Sequence, residues 1–167
     1  MNRYPIIRQE KESWSLPACL QSIVKLRRVY EPSQREIAKS LGIGKDCEGN
    51  LRERMDKFLE QYNLGCRHEN PFTNVRGDSI LLESELNCKT DVIVAYDSKR
   101  FNNLPEIPEN IFSIVLRYFP LRKTIVTQSP LREGDMCTEI LDLERLLTAI
   151  NPHEDEEDGF YMIDSRS

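Results

Sequence analysis

The stretch that decides the fold of this chain reads Trp14-Ser15-Leu16-Pro17-Ala18-Cys19-Leu20, with Ser15 six residues after Gln9. It opens a segment whose apolar side chains recur every three or four residues, the spacing of one face of an α-helix. The members of that face are Leu16, Cys19, Leu20, Ile23, Leu26 and Tyr30. The pattern predicts a helix that begins near Ser15 and buries this face, with Cys19 as one of the buried residues.

The composition is that of a folded, water-exposed chain. Its 167 residues are 39% hydrophobic and 31% charged, which fits one domain over residues 1–167 with a core of its own. No apolar run approaches the roughly 20 residues of a membrane span, and the N-terminus lacks a signal-like apolar stretch. The net charge of −5 argues against nucleic acid as a partner. Five scattered cysteines predict free thiols and a cytoplasmic protein.

The first half of the chain has the signals of further helices. Ser33 and Glu36 form a capping-box pattern ahead of a short helix. Apolar residues at helical spacing over residues 51–62 predict a third helix, and Asp78 is placed to cap a fourth that runs to about Cys88.

The second half has the signals of strands. Residues 92–96 form a β-branched run typical of a buried strand, and the runs 111–119 and 124–128 predict a hairpin. Asp142 is placed to cap a last helix, and residues 160–163 predict a closing strand. Helices first and strands later predict an α+β fold, with N-terminal helices packed on a C-terminal antiparallel sheet.

The segment around Ser15 resembles the active-site helix of a papain-like cysteine peptidase of the bacteriocin-processing, double-glycine leader type. In that family a glutamine stands six residues before the catalytic cysteine in a run reading Asp-Cys-Gly-Pro-Ala-Cys-Leu. The resemblance implies that Ser15 occupies the nucleophile position and that Gln9 occupies the position of the oxyanion donor. It also implies that Cys19 is a second, packing cysteine.

The same resemblance assigns the rest of the catalytic triad to the predicted hairpin. Ser113 near the start of its first strand takes the position of the catalytic histidine, and Ser129, followed by Pro130, takes that of the aspartate. The sixteen residues between them match the family's usual separation. The resemblance therefore implies a peptidase fold whose triad is degenerate, because serine stands at all three positions.

The chemistry of serine argues against catalysis by this set. A serine hydroxyl attacks a carbonyl only when a neighbouring base accepts its proton, and Ser113 cannot be that base. The sequence has two histidines: His68 is predicted in an irregular loop, and His153 begins an acidic turn. Neither the cysteines nor the acidic residues have the spacing of a zinc or calcium site, so no metal or cofactor is predicted.

Three hypotheses remain for the function. The first is a catalytically silent module that binds a peptide or protein partner in the former active-site cleft, anchored by Gln9 and the helix start at Ser15. The second is an active cysteine peptidase whose catalytic cysteine has been replaced by Ser15. The third is a structural subunit of a larger assembly, with the loop at residues 104–108 as a contact surface.

Overall fold

A computed structural model of the chain describes residues 4–5, 7–28, 30–45, 50–69, 75–102, 110–130, 138–150 and 158–166. The helices are α1 (Ser15–Arg27), α2 (Gln34–Ser40), α3 (Leu51–Glu60), α4 (Val75–Asn87), α5 (Ser98–Phe101) and α6 (Leu143–Ala149). The strands are β1 (Leu64–Glu69), β2 (Asp91–Asp97), β3 (Asn110–Phe119), β4 (Thr124–Gln128), β5 (Thr138–Asp142) and β6 (Gly159–Ser165).

The six strands form one antiparallel sheet in the order β1-β6-β2-β3-β4-β5. Strand β2 lies in the middle and is buried along its whole length, as its β-branched sequence predicts. β3 and β4 form the predicted hairpin through a short 3₁₀ turn at Pro120–Arg122. The α+β prediction, with helices packed on an antiparallel sheet, is confirmed.

The sheet separates two hydrophobic cores. On one face, which we call the α1 face, the apolar sides of α1, α2 and α3 pack on residues such as Ile93, Phe112 and Ile114. On the other, the α6 face, α4 and α6 pack on residues such as Val94 and Val115. Because neighbouring residues of a strand point to opposite faces, each strand residue can be assigned to one core.

The predicted helix caps are present where their side chains are described. The Ser33 hydroxyl accepts a hydrogen bond from the Glu36 N–H, completing the capping box, and the Asp142 carboxylate accepts one from the Arg145 N–H. The prediction for α4 is wrong at its start, because the helix begins at Val75, three residues before Asp78.

Two strands escaped prediction, β1 and β5, and both lie at the edges of the sheet. An edge strand is only partly buried, so its sequence lacks the continuous apolar run that identifies β2. The prediction that His68 lies in an irregular loop is therefore wrong, because the residue is in β1 and pairs with Tyr161 of β6. None of the helices in the described part of the chain is both long and apolar enough to cross a bilayer.

Candidate functional site

Ser15 is the first residue of α1, as the sequence predicts, and is only 4% exposed. Its hydroxyl oxygen accepts a hydrogen bond of 3.2 Å from the Phe112 N–H on β3. The helix start carries no side-chain cap and no acidic residue in its first turn. The positive end of the helix dipole is therefore left without a local counter-charge from its own first turn.

Cys19 lies one turn further along α1 and is buried against the same strand residue. Its thiol donates to the Phe112 carbonyl oxygen at 3.4 Å, and burial raises the pKa of the thiol far above its ordinary value. The predicted burial of Cys19 is confirmed. A thiol in this state is a packing group rather than a nucleophile.

Ser113 does not face Ser15, so the predicted placement of this residue is wrong. Ser113 pairs with Val94, which belongs to the α6 face, whereas its neighbour Phe112 pairs with Ala95 on the α1 face. The Ser113 side chain is fully buried, and its hydroxyl finds no hydrogen-bond partner among the described residues. The strand residue that faces the helix start is Phe112.

Ser129, like Ser113, lies toward the α6 face and not toward Ser15. It follows β4 and lines a pocket of about 520 Å³ together with Tyr96 and Leu141, which belong to the core of the α6 face. Gln128 instead pairs with Ile114 of the α1 face and is 4% exposed. Phe112 and Gln128 are thus the strand residues on the α1 face, and Phe112 is the one that contacts Ser15.

The two possible assignments of the strand residues that face α1 differ by one residue along β3 and β4. Phe112 and Gln128 are sixteen residues apart, the same separation as Ser113 and Ser129. The middle of β3 is buried on both faces, so no alternation of apolar and polar residues shows which side points to α1. In the structure, the backbone of Phe112 bonds both Ser15 and Cys19, and this contact identifies the face that points to α1.

Gln9 lies at the same end of the sheet, where its N–H donates to the Pro130 carbonyl oxygen at 3.3 Å. Its side-chain amide donates to the Glu12 carbonyl oxygen at 2.8 Å, which folds residues 9–12 into a compact turn. Its amide oxygen is buried with no partner among the described residues. Gln9 therefore shapes the segment ahead of α1, and it does not line the cleft described below.

Gln34 of α2 holds that segment in place, a role that sequence reasoning did not detect. Its amide donates to the Arg8 carbonyl oxygen at 2.6 Å and accepts from the Glu10 N–H at 2.8 Å. The residue is 1% exposed, so the two bonds act as a buried clamp on either side of Gln9. Nothing in the local sequence distinguishes this glutamine from an ordinary residue of the first helical turn.

A cleft of about 780 Å³ opens beside the start of α1. One wall is formed by residues 11–13, the other by the turn after α2 at residues 42–45, and the floor includes Ser15 and Phe112. Volumes of this size accommodate a short peptide segment or a small molecule. Glycine at position 44 has a φ of +81°, a backbone conformation that side-chain-bearing residues rarely adopt.

His68 does not supply a base to this cleft. The His68 ring stacks on Tyr161 at a centroid separation of 4.5 Å, and its Nε2 lies 2.9 Å from the Asp158 carbonyl oxygen. β1 is separated from β3 by β6 and β2, so at about 4.8 Å per strand His68 lies roughly 14 Å from β3. His153, with most of its acidic turn, and the loop at residues 104–108 lie outside the described residues.

Within the described part of the chain, no group of three or more potential metal-ligating side chains comes together. Cys66 and His68 are alternate residues of β1 and lie on the same α1 face, where Cys66 is buried beneath α3. Burial raises the pKa of the Cys66 thiol to about 12, which opposes the thiolate form that a metal requires.

The fold of this chain is that of the papain-like C39 peptidase domains. The peptidase domain of Streptococcus ComA, a bi-functional ABC transporter involved in a quorum-sensing pathway, is similar over 98% of this chain and 99% of that chain. The two share 12% sequence identity with a TM-score of 0.62. A putative C39-like peptidase from Bacillus anthracis is similar over 98% of this chain and 96% of that chain, at 10% identity and a TM-score of 0.61.

At this level of identity the likeness establishes the fold, and the residues at the site decide the chemistry. No protein-family model matches the sequence, and no curated protein matches it either.

Proposed function

We propose that this chain is a catalytically degenerate peptidase-like domain that binds a peptide or protein partner in the cleft at the start of α1. The observation that carries the proposal is the engagement of Ser15, whose hydroxyl accepts the Phe112 N–H while Phe112 itself occupies the facing position on β3. A phenyl ring cannot accept a proton. The strand residue that faces Ser15 therefore supplies no base to activate its hydroxyl.

The third facing position supports the same conclusion. Gln128 is a neutral amide whose Nε2 donates to the Pro5 carbonyl oxygen at 3.1 Å. In a working triad this position holds and orients the base, and here it fixes the N-terminal segment instead. The proposal therefore assigns a structural role to each former triad position on the α1 face.

The cleft remains open beside these residues, which supports a domain that still binds a ligand there. Its floor includes Ser15 at the start of α1, where the positive end of the helix dipole suits a carbonyl or carboxylate of a bound chain. We further propose that residues 1–167 act as a single domain in the cytoplasm with reduced cysteines, and that nucleic acid is not a partner.

The proposal is tested by selecting binders from a random twelve-residue peptide library and measuring the affinity of a selected peptide by calorimetry. Ser13 is exposed and lines the cleft wall, so Ser13→Trp should lower affinity at least about tenfold, or roughly 1.4 kcal/mol. Ser84→Trp on the exposed face of α4 is the matched control and should leave the affinity unchanged.

Mass spectrometry of the same mixtures distinguishes binding from catalysis. The peptide should remain intact after prolonged incubation with the wild-type chain. Cleavage that disappears in Ser15→Ala would show that the domain is an enzyme and would overturn the proposal.

The alternative of a peptidase with its cysteine replaced is disfavoured by Phe112, because restoring a thiol at position 15 restores no base. The structural-subunit alternative is favoured by one observation, the exposure of Phe119 and Leu121 at the hairpin turn and of Ile140 on the edge strand β5. Binding of a partner that is insensitive to Ser13→Trp but lost in Leu121→Ser would favour that alternative.

A further inference from the structure

The cleft at Ser15 is one part of a longer groove. A second pocket of about 660 Å³ adjoins it, and the two share Lys11, Gly42, Ile43 and Lys45 as common lining residues. The second pocket continues past Trp14 toward α2. Together they form a continuous groove that runs from the start of α1 to the outer side of α2, which we call the α1–α2 groove.

The charges along this groove are opposite in sign to the charge of the whole chain. Its lining includes five cationic side chains, Lys11, Arg35, Lys39, Lys45 and Arg54, and two carboxylates, Glu10 and Glu12. The cations thus exceed the carboxylates by three, whereas the complete chain carries a net charge of −5. A local excess of one sign along a concave surface attracts ligands of the other sign.

Four of these cations are available to a ligand. Lys11, Arg35, Lys39 and Lys45 are exposed, and none of them forms an ion pair with another residue in the described part of the chain. Cations elsewhere are engaged, as in the pairs Arg67–Glu85, Lys123–Glu144 and Arg166–Asp56. Arg54, the fifth, is half-buried in the floor of the cleft.

One of the four is held at the junction of the two pockets. The Lys11 ammonium lies 4.5 Å from the centroid of the Trp14 ring, a cation–π contact that restrains the side chain beside the helix start. The uncapped first turn of α1 adds a partial positive charge of its own at the same place.

We propose that the α1–α2 groove selects peptides that carry carboxylates, an inference that rests on the peptide-binding function proposed above. The carboxylates come either from Asp and Glu side chains along the peptide or from its chain end. Two features favour a peptide over a nucleic acid as the ligand. The fold is that of peptidase domains, and the net negative charge of the chain would repel the phosphates of a nucleic acid.

Asp46 and Glu48 follow Lys45 in the sequence and lie outside the described residues.

The experiment uses a peptide selected from the random library in four synthetic forms. The forms are the parent, a version with every Asp and Glu replaced by its amide, a version with an amidated C-terminus, and a version with both changes. The parent should bind at least about tenfold more tightly than the doubly changed form, and its affinity should fall as salt rises from 50 to 500 mM. The two singly changed forms identify which carboxylates are recognised.

Matched variants connect the selectivity to the groove. Lys11→Gln combined with Lys45→Gln should weaken the parent about 3- to 10-fold and leave the doubly changed peptide unaffected. Lys57→Gln combined with Arg122→Gln removes the same charge from exposed positions outside the groove and should have no comparable effect.

The outcomes separate this inference from the proposed function. Equal affinity for all four forms, with sensitivity to Ser13→Trp, would overturn the carboxylate preference and retain peptide binding. If no peptide from the library binds, both the carboxylate preference and the proposed peptide-binding function are overturned. Tighter binding of a single-stranded oligonucleotide than of the parent peptide would replace the peptide with a nucleic acid as the anionic ligand.

Discussion

The two ends of α1 differ in how their polar groups are satisfied. At the C-terminal end, Asp91 is fully buried and accepts hydrogen bonds from the Tyr4 hydroxyl and from the Arg27 guanidinium at 2.6 Å. Arg27 also donates to the Lys89 carbonyl oxygen at 2.7 Å. At the N-terminal end, the helix has no side-chain cap, and in the segment just ahead of it the buried Gln9 Oε1 has no partner among the described residues.

This difference indicates that the two ends of α1 have different roles, one in stability and the other in ligand binding. The C-terminal end fixes α1 to the N-terminal segment and to β2 through a buried charged network. The N-terminal end keeps polar groups that the fold does not satisfy, which is typical of a surface that meets a ligand. Substitutions at the first end should therefore reduce stability, and substitutions at the second should change binding.

The largest effect is expected from Asp91→Ala. Removing the carboxylate leaves the Arg27 charge and the Tyr4 hydroxyl without their acceptor, and the free energy of unfolding should fall by about 3 kcal/mol or more. Urea unfolding followed by circular dichroism measures this change. Glu144→Ala, which removes an exposed partner of Lys123, is the control and should give no resolvable change. A similarly small effect of Asp91→Ala would remove the distinction between the two ends.

A smaller loss of stability, together with a loss of affinity, is expected from Gln34→Leu. This change removes both clamping bonds and leaves the Arg8 carbonyl and the Glu10 N–H unsatisfied, at a cost of about 2 kcal/mol. Because the clamped segment leads into the cleft wall, peptide affinity should fall as well. Gln21→Leu replaces another buried glutamine, on α1, and should leave the affinity unchanged; equal losses in both variants would make Gln34 an ordinary structural residue.

The smallest effect is expected on the α6 face. Ser113 and Thr127 are fully buried there, and neither hydroxyl has a hydrogen-bond partner among the described residues. Ser113→Ala and Thr127→Val should therefore leave stability unchanged or raise it by up to about 1 kcal/mol, with no change in peptide affinity. Weaker peptide binding in Ser113→Ala would indicate that this residue faces α1 and would contradict the pairing of Ser113 with Val94.

The sequence predicts the framework better than the site, for a physical reason. The helix at Ser15, the buried strand β2 and the β3–β4 hairpin each have strong periodicity or clear end signals, and each is confirmed. The edge strands β1 and β5 have weaker patterns because only part of each is buried. A helix or strand is therefore predicted most reliably where it is well buried, because burial leaves a clear pattern of apolar residues in the local sequence.

The residues of β3 and β4 that face α1 depend on the exact register of the strands, to within one residue. Shifting an assignment by one residue along β3 exchanges Phe112 for Ser113 and moves the side chain to the other face of the sheet. Because β3 is buried on both faces, the sequence permits either choice, and only the pairing with Val94 and Ala95 decides it. Contacts from distant segments, such as the Gln34 clamp, have no local signal at all.

The central claim is that the fold retains the cleft but lacks the means to activate a nucleophile at position 15. It is tested most directly by the rate of iodoacetamide alkylation at position 15 in the variant Ser15→Cys, measured against pH by mass spectrometry. Cys88 is exposed and provides a solvent-accessible thiol for comparison, while Cys19 and Cys66 should remain unmodified because burial raises their thiol pKa values.

The account predicts that the new thiol reacts no faster than Cys88 at pH 6 and that its rate rises with pH as the thiolate forms. Adding Phe112→His should shift this reactivity to lower pH, because an imidazolium stabilises the thiolate, whereas adding Ser113→His should not. Rapid alkylation below pH 7 in Ser15→Cys alone, accompanied by peptide cleavage, would show that an activating base is already present and would contradict the account.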